Sequence, residues 1–289
     1  PNRNQPVTTR KGEARQIDGV KPNREPEKGN SVNRKTTRLT FGCAAVLACA
    51  SSALPAAAAS GSVTITKSRG EICMVSTGLP DHPTGTFPNR GNPHSMSAQY
   101  IEVCVPENPV RTARATVLRG ATGFALNGVM IRPGTADYYD PSSPRGFSRD
   151  RSSGWNLDGM GAGQMLGLDM NNAHVDHRGL YHYHGKPTGF LKGAKSSLVG
   201  FAADGFEIHY VGAGAISGYS LKPGNRNGGP GGKHDGTYVQ DWEYTGGKGR
   251  LDECNGGILN GNFVYFVTDT YPYFPHCAWG KVSPDFARP

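Results

Sequence analysis

The sequence is poor in the features that would place it in a familiar class at once. Its longest apolar segment, residues 39–54, falls short of the roughly 20 residues that a permanent membrane-spanning helix needs. No stretch sustains a 3.6-residue apolar period, which argues against a helical bundle. No repeat of 20–50 residues is visible, which argues against a solenoid or propeller. There is no Cys-x-x-Cys pair for a thiolate zinc site and no Gly-x-Ser-x-Gly nucleophile elbow. The glycines at residues 228–232 lack the Lys-Ser/Thr of a phosphate loop, because Lys233 is followed by His234. Positive charge is also scarce where it would matter. The formal +8 is concentrated in residues 1–38, which hold ten Lys/Arg against four Asp/Glu. Residues 60–289 hold 21 Lys/Arg against 19 Asp/Glu, with no basic stripe, so nucleic acid is not an expected partner.

What is present begins with an export pattern. Arg34, Lys35 and Arg38 precede the uncharged apolar segment, and Ala57-Ala58-Ala59 offers a small-residue cleavage site. Residues 34–59 therefore read as a signal peptide, with a mature N-terminus near Ser60 and a secreted or periplasmic destination. Cys49, at the end of Val46-Leu47-Ala48-Cys49, is an alternative lipid-attachment point, and membrane contact is expected only if it is lipidated. Residues 1–33 are polar, lack apolar periodicity, and read as a disordered or non-native leader. No Met precedes Met74, and a start at Val32 would leave a compact signal segment.

Residues 60–289 read as one mostly β, sandwich-like domain with long Gly/Pro loops. Short β-prone runs recur at residues 63–65, 72–75, 100–105, 199–203, 206–211 and 262–268, separated by many of the 41 glycines and 21 prolines. Asn127-Gly128 inside residues 124–131 is a hairpin signal. Residues 155–168 carry weak helical character, and residues 224–236 read as a flexible loop with six glycines. Of six cysteines, Cys43 and Cys49 lie in the export segment. The other four suggest two disulfides in an exported chain, with three possible pairings. Cys73–Cys104 and Cys254–Cys277 are favoured because each pair falls within one β-rich block.

The chemistry concentrates in residues 171–185, which hold four of the nine histidines. If residues 181–184 form a strand, His182 and His184 share a face about 7 Å apart at Cβ, while Tyr181 and Tyr183 turn to the core. A turn at Arg178-Gly179 would fold His174 back beside them. That arrangement is a three-imidazole site for a transition metal, zinc or copper, with His177 as a further candidate. The same strand could instead be half-buried, with histidines satisfied by backbone and water. His82, His94, His209, His234 and His276 are dispersed, and only His82, in a loop fixed by Pro83 and Gly85, stands out. Asp204 could cap a turn or orient a histidine, and Glu253 could serve as a general base or belong to a polar turn with Asp252 and Asn255.

Tyr181-His182-Tyr183-His184-Gly185 resembles the signature of the YHYH domain family. Leu79-Pro80-Asp81-His82-Pro83-Thr84-Gly85, Ala203-Asp204-Gly205-Phe206, Leu251-Asp252-Glu253-Cys254-Asn255-Gly256 and the block from Tyr265 to Tyr273 resemble its other blocks, so the likeness covers most of residues 73–280. Glu207 and His209 depart from it, where proline and an aromatic are expected. The resemblance implies an exported, largely bacterial domain and names no activity. Three functions remain open on the residues. One is a metal-binding extracytoplasmic protein. A second is a metal-dependent hydrolase using Asp204 or Glu253 as base. The third is a non-catalytic carbohydrate-binding or adhesion module in which Trp155, Trp242, Tyr271 and Tyr273 stack on sugars. The partner would be a small ligand or a cell-surface component.

Overall fold

The computed structural model describes residues 61–286, and the export segment, the Ser60 terminus, Cys43 and Cys49 lie outside them. The described chain is mostly β. Its centre is an eight-stranded sheet with spatial order Ala173–Val175, Tyr181–Tyr183, Met130–Ile131, Gly123–Ala125, Leu198–Ala202, Glu207–His209, Asn262–Phe266 and Gly256–Leu259. Two of its seams are parallel, Tyr181–Tyr183 with Met130–Ile131 and Glu207–His209 with Asn262–Phe266. Parallel neighbours need long crossovers, so these seams join segments far apart in sequence.

Alternation of side chains gives this sheet two apolar faces. On one, Phe124, Met130 and Phe201 pack against Ile72, Met74, Val103 and Val105 of a three-stranded antiparallel sheet. That sheet is built from Val63–Ser68, Glu71–Ser76 and Ile101–Pro106, so the expected sandwich exists across this interface. On the other face, Val175, Tyr181, Tyr183, Ile131, Ile208 and Tyr265 form the larger core with Phe274. Phe190 and Leu191 of the short helix Thr188–Gly193 pack over it. Cys73 and Cys104 face each other in register across adjacent strands and are joined, and Cys254–Cys277 is closed inside the larger core.

Residues 155–168 depart from their weak helical pattern. Asn156–Asp158 is a strand paired with Gly134–Tyr139, and turns follow it. Glycines at 159, 161, 163 and 167 make a helix entropically expensive there. The loop at residues 224–236 is tied down by Arg226, whose guanidinium pairs with the fully buried Asp241 and with Asp235. No helix among the described residues is long and apolar enough to cross a membrane.

Candidate metal centre

The site is assembled by one hairpin. Ala173–Val175 and Tyr181–Tyr183 pair antiparallel, and the register sets His174 directly opposite His182. Directly opposed residues share a face, and His184, two residues beyond His182, returns to it. Tyr181 and Tyr183 point the other way, as the alternation requires. Their hydroxyls end on polar groups beneath the core: Tyr181 donates to Asp169 at 2.8 Å, and the Tyr183 oxygen lies 2.6 Å from His82 Nε2.

The turn between the strands is held by Asp176. Its Oδ1 accepts the backbone N–H groups of Arg178 at 2.8 Å and Leu180 at 3.1 Å, and its Oδ2 accepts Arg132 Nη1 at 2.9 Å. Gly179 closes the turn with φ +88°, a left-handed conformation that glycine adopts freely, and a Cβ there would collide with Ser97.

The three imidazoles converge. His184 Nε2 lies 3.1 Å from both His174 Nε2 and His182 Nε2. Ring centroids are 4.7–4.8 Å apart for all three pairs. The opposite edge of each ring is anchored on a backbone carbonyl. His174 Nδ1 donates to Leu166 O at 2.8 Å, His182 Nδ1 to Leu180 O at 3.1 Å, and His184 Nδ1 to Pro133 O at 3.2 Å. A carbonyl only accepts, so each ring carries its proton on Nδ1. All three Nε2 atoms then present lone pairs to one another with no proton between them. Lone pairs 3.1 Å apart, as in the two pairs at His184, repel unless a cation sits between them. Imidazoles around a tetrahedral zinc, with Zn–N about 2.05 Å, would place their nitrogens roughly 3.3 Å apart, close to the spacing found.

Burial reinforces this state. His182 and His184 are held well below the ordinary histidine range, by desolvation first and then by neighbouring imidazoles and the Arg132 charge. His174 is lowered for the same leading reason. Neutral imidazole is the ligand form. The ring of His184 rests on Gly159, where an added Cβ would run into its Nδ1 and the Pro133 carbonyl.

The cluster opens on a cavity of about 160 Å³ lined also by Arg132, Arg145, Arg149, Asp137, His94 and His177. Burial raises the Asp137 carboxyl, and Arg145 and Arg149 oppose that rise.

Not every candidate residue joins the site. His177 lies exposed in the turn, at the cavity wall and outside the three-histidine group, because the tight turn carries it past the end of the ladder. Asp204 orients no histidine: its buried carboxylate accepts Tyr265 Oη at 2.7 Å and the Gly280 N–H at 2.8 Å, tying strands on the far side of the sheet. It does cap its turn through the Phe206 N–H at 3.4 Å. Glu253 sits in the disulfide-anchored turn, where its carbonyl accepts Tyr219 Oη, and it is not among the residues lining the histidine cavity. The aromatics proposed as a sugar platform are half-buried or buried, and other rings engage them. Trp242 stacks on Tyr271 with centroids 5.0 Å apart, and Trp155 meets Tyr238 edge-on. Sequence reasoning missed Asp176, Arg132, Asp137 and His94. Asp176 two residues after His174 and three before Gly179 is the one signal it could have used, as an Asx-turn residue.

A β-sheet scaffold presenting three backbone-oriented histidines from one hairpin, two buried and one half-buried, defines the class of this protein. The family model for YHYH protein matches residues 102–280, and the chain belongs to that family. No curated protein and no solved structure matched the chain.

Proposed function

We propose that the protein is an exported transition-metal binder whose ion is held by Nε2 of His174, His182 and His184. The observation that carries this reading is the set of three Nε2 lone pairs that meet with no proton available between them. Three imidazoles suit zinc or copper and leave a coordination position open toward the cavity. When bound, such an ion would act as a Lewis acid toward an oxygen ligand. Arg132, Arg145 and Arg149 outnumber Asp137 and Asp176 around the opening, which favours a small anionic ligand. Two disulfides accord with an oxidising compartment and so support export.

Metal-dependent hydrolysis is the second reading, and the observation favouring it is Asp137. This carboxyl lines the same cavity and has a raised proton affinity, as a general base beside a metal site would need.

Elemental analysis of protein purified without chelators or affinity-tag metals tests the first reading. About one zinc or copper per chain is expected, falling to background in His182→Ala. Protein that carries none and takes up neither ion on titration would refute it. For the second reading, ester hydrolysis by the metal-loaded protein should vanish in Asp137→Asn with metal content intact.

A further inference from the structure

A second chain of polar side chains lies elsewhere on the central sheet. The strands Met130–Ile131 and Gly123–Ala125 run between it and the histidine hairpin, and none of its members lines the histidine cavity. Ser197 Oγ lies 2.9 Å from His209 Nδ1, and His209 Nε2 lies 2.8 Å from Glu207 Oε2.

The backbone fixes all three residues. Glu207 and His209 are the two ends of the strand Glu207–His209, so they share a face, while Ile208 between them enters the larger core. Leu198 pairs with His209 across the antiparallel seam, and the ladder is irregular between Leu198 and Gly200. Irregularities of this kind re-aim side chains and recur beside active sites. Ser197 precedes this one and is tied to the neighbouring strand by the Tyr210 N–H, which donates to its carbonyl at 2.8 Å.

Hydrogen bonding orders the protons. A carboxylate accepts and does not donate, so Glu207 takes the proton on His209 Nε2. In the neutral ring Nδ1 is then a lone pair, and the Ser197 hydroxyl donates to it. The three clustered histidines rest on backbone carbonyls, whereas this ring joins a hydroxyl on one side to a carboxylate on the other. That order makes a hydroxyl nucleophilic, and it is defined by roles and geometry rather than by a sequence motif. His209 is 8% exposed, but Ser197 is only half-buried and follows the exposed Lys195 and Ser196. The Ser197 N–H donates to no acceptor among the described residues.

We propose that Ser197, His209 and Glu207 form a second, metal-independent site that cleaves small carboxylic esters. Ser197 Oγ attacks the ester carbonyl carbon while its proton passes to His209 Nδ1. The Ser197 N–H is free to meet the oxyanion that develops. The bond from carbon to the leaving alcohol oxygen then breaks, and that alcohol takes the proton from His209. Water next attacks the acyl-serine, a proton returns through His209 to Ser197 Oγ, and the carboxylic acid departs. Glu207 touches no reacting atom. It is a positioning residue that holds the ring and its tautomer. The half-open setting of Ser197, with no deep pocket needed, suits a short acyl group such as acetyl.

The test uses the full chain in EDTA, so that any activity owed to a bound ion is the increment over what is read here. The probes are 4-nitrophenyl acetate and diisopropyl fluorophosphate. One phosphoryl label per chain is expected, placed on Ser197 by peptide mass spectrometry, together with turnover of the acetate ester above buffer. Ser197→Ala should lose the label and at least about 100-fold in kcat/KM. Glu207→Gln should lower kcat about tenfold or more with KM little changed, and Glu207→Asp should restore part of it, which a merely structural bond would not do. His209→Gln should abolish labelling; if it fails to fold, the Ser197 and Glu207 variants, altered outside the core, carry the test. Three results would overturn the proposal. The first is a reagent that leaves Ser197 unlabelled. The second is ester turnover in Ser197→Ala equal to wild type, which would assign it to scattered surface groups and leave the chain of three a structural one. The third is turnover that appears only when zinc is restored, which would assign it to the histidine cluster.

Discussion

His174 and His182 are a directly opposed pair in an antiparallel ladder, and their rings come within 4.8 Å centroid to centroid. The pair exists only in this register. A slip of one residue would turn one of the two to the other face and break the cluster. His177, two residues past Val175, where the pairing ends, shares no such constraint. His174→Ala should therefore lower zinc affinity by at least about tenfold, whereas His177→Ala should leave it unchanged. Competition with a chromophoric chelator measures both. Equal losses in the two variants would return His177 to the ligand set.

Asp176 should matter almost as much as a ligand without touching the ion. Its carboxylate holds two backbone N–H groups of the turn and Arg132. In Asp176→Ala the turn loses all three, and His174 separates from His182. Metal affinity should fall about 10–100-fold, and stability by on the order of 1–3 kcal/mol. Chelator competition and urea unfolding check the two effects separately.

Gly159→Ala places a methyl group against the His184 ring and the Pro133 carbonyl that orients it. The protein should fold, with a loss of about 1–3 kcal/mol from overpacking, but bind zinc at least about tenfold more weakly. Unchanged affinity in a folded variant would mean that His184 has room to move.

The two disulfides should respond differently to reductant. Cys254 and Cys277 are 0% and 5% exposed within the larger core, whereas Cys73 and Cys104 lie half-buried in a three-stranded sheet. Thiol–disulfide exchange needs access to sulfur. Mild reduction followed by alkylation and mass spectrometry should label Cys73 and Cys104 first, with Cys254 and Cys277 labelled only on unfolding. Replacing both Cys254 and Cys277 with Ser should cost roughly 2–5 kcal/mol.

Asp158 gives stability a definite pH slope. Burial raises its pKa from 3.8 to about 7, against the opposing pull of the Gly161 and Met160 N–H groups. Between these values the folded state holds a proton that the unfolded state has released. The contribution is therefore complete below the unfolded value and is lost as pH rises through about 7. From pH 4 to pH 8 the wild-type protein should lose on the order of 4 kcal/mol relative to Asp158→Asn. Urea midpoints across that range, compared between the two proteins, provide the measurement.

The site was largely legible because its logic is local. Period-two alternation sends His182 and His184 one way and Tyr181 and Tyr183 the other, and a glycine turn returns the chain past His174. Both disulfides could be paired by proximity in sequence, and Asn127-Gly128 marks the turn that joins Phe124 to Met130. What could not be read depends on long-range pairing. Nothing local announces that Met130–Ile131 runs parallel to Tyr181–Tyr183, and it is this seam that brings Arg132 and Pro133 to the histidines. Of the two roles raised for Asp204, turn capping holds, and orienting a histidine failed for a related reason. Its partners, Tyr265 and Gly280, lie 61 and 76 residues away, and no spacing rule reaches them. Residues 155–168 misled because alternating glycines and apolar residues satisfy a helical pattern while denying the backbone its preference for helix.

The groups that orient the three histidines belong to the main chain. Carbonyls of Leu166, Leu180 and Pro133 do what carboxylates do in many metal sites. A carbonyl is common to all twenty amino acids, so no single codon change at these positions can delete it. Substitutions that keep similar bulk at residues 166 and 180 would leave the proton on Nδ1 of His174 and His182. The tautomeric pattern is thus heritable through the path of the backbone, and relatives could diverge widely around the cluster while retaining it. In such lineages the mark of descent would be the hairpin with its Asp–Gly turn and three histidines, with no carboxylate bonded to the rings.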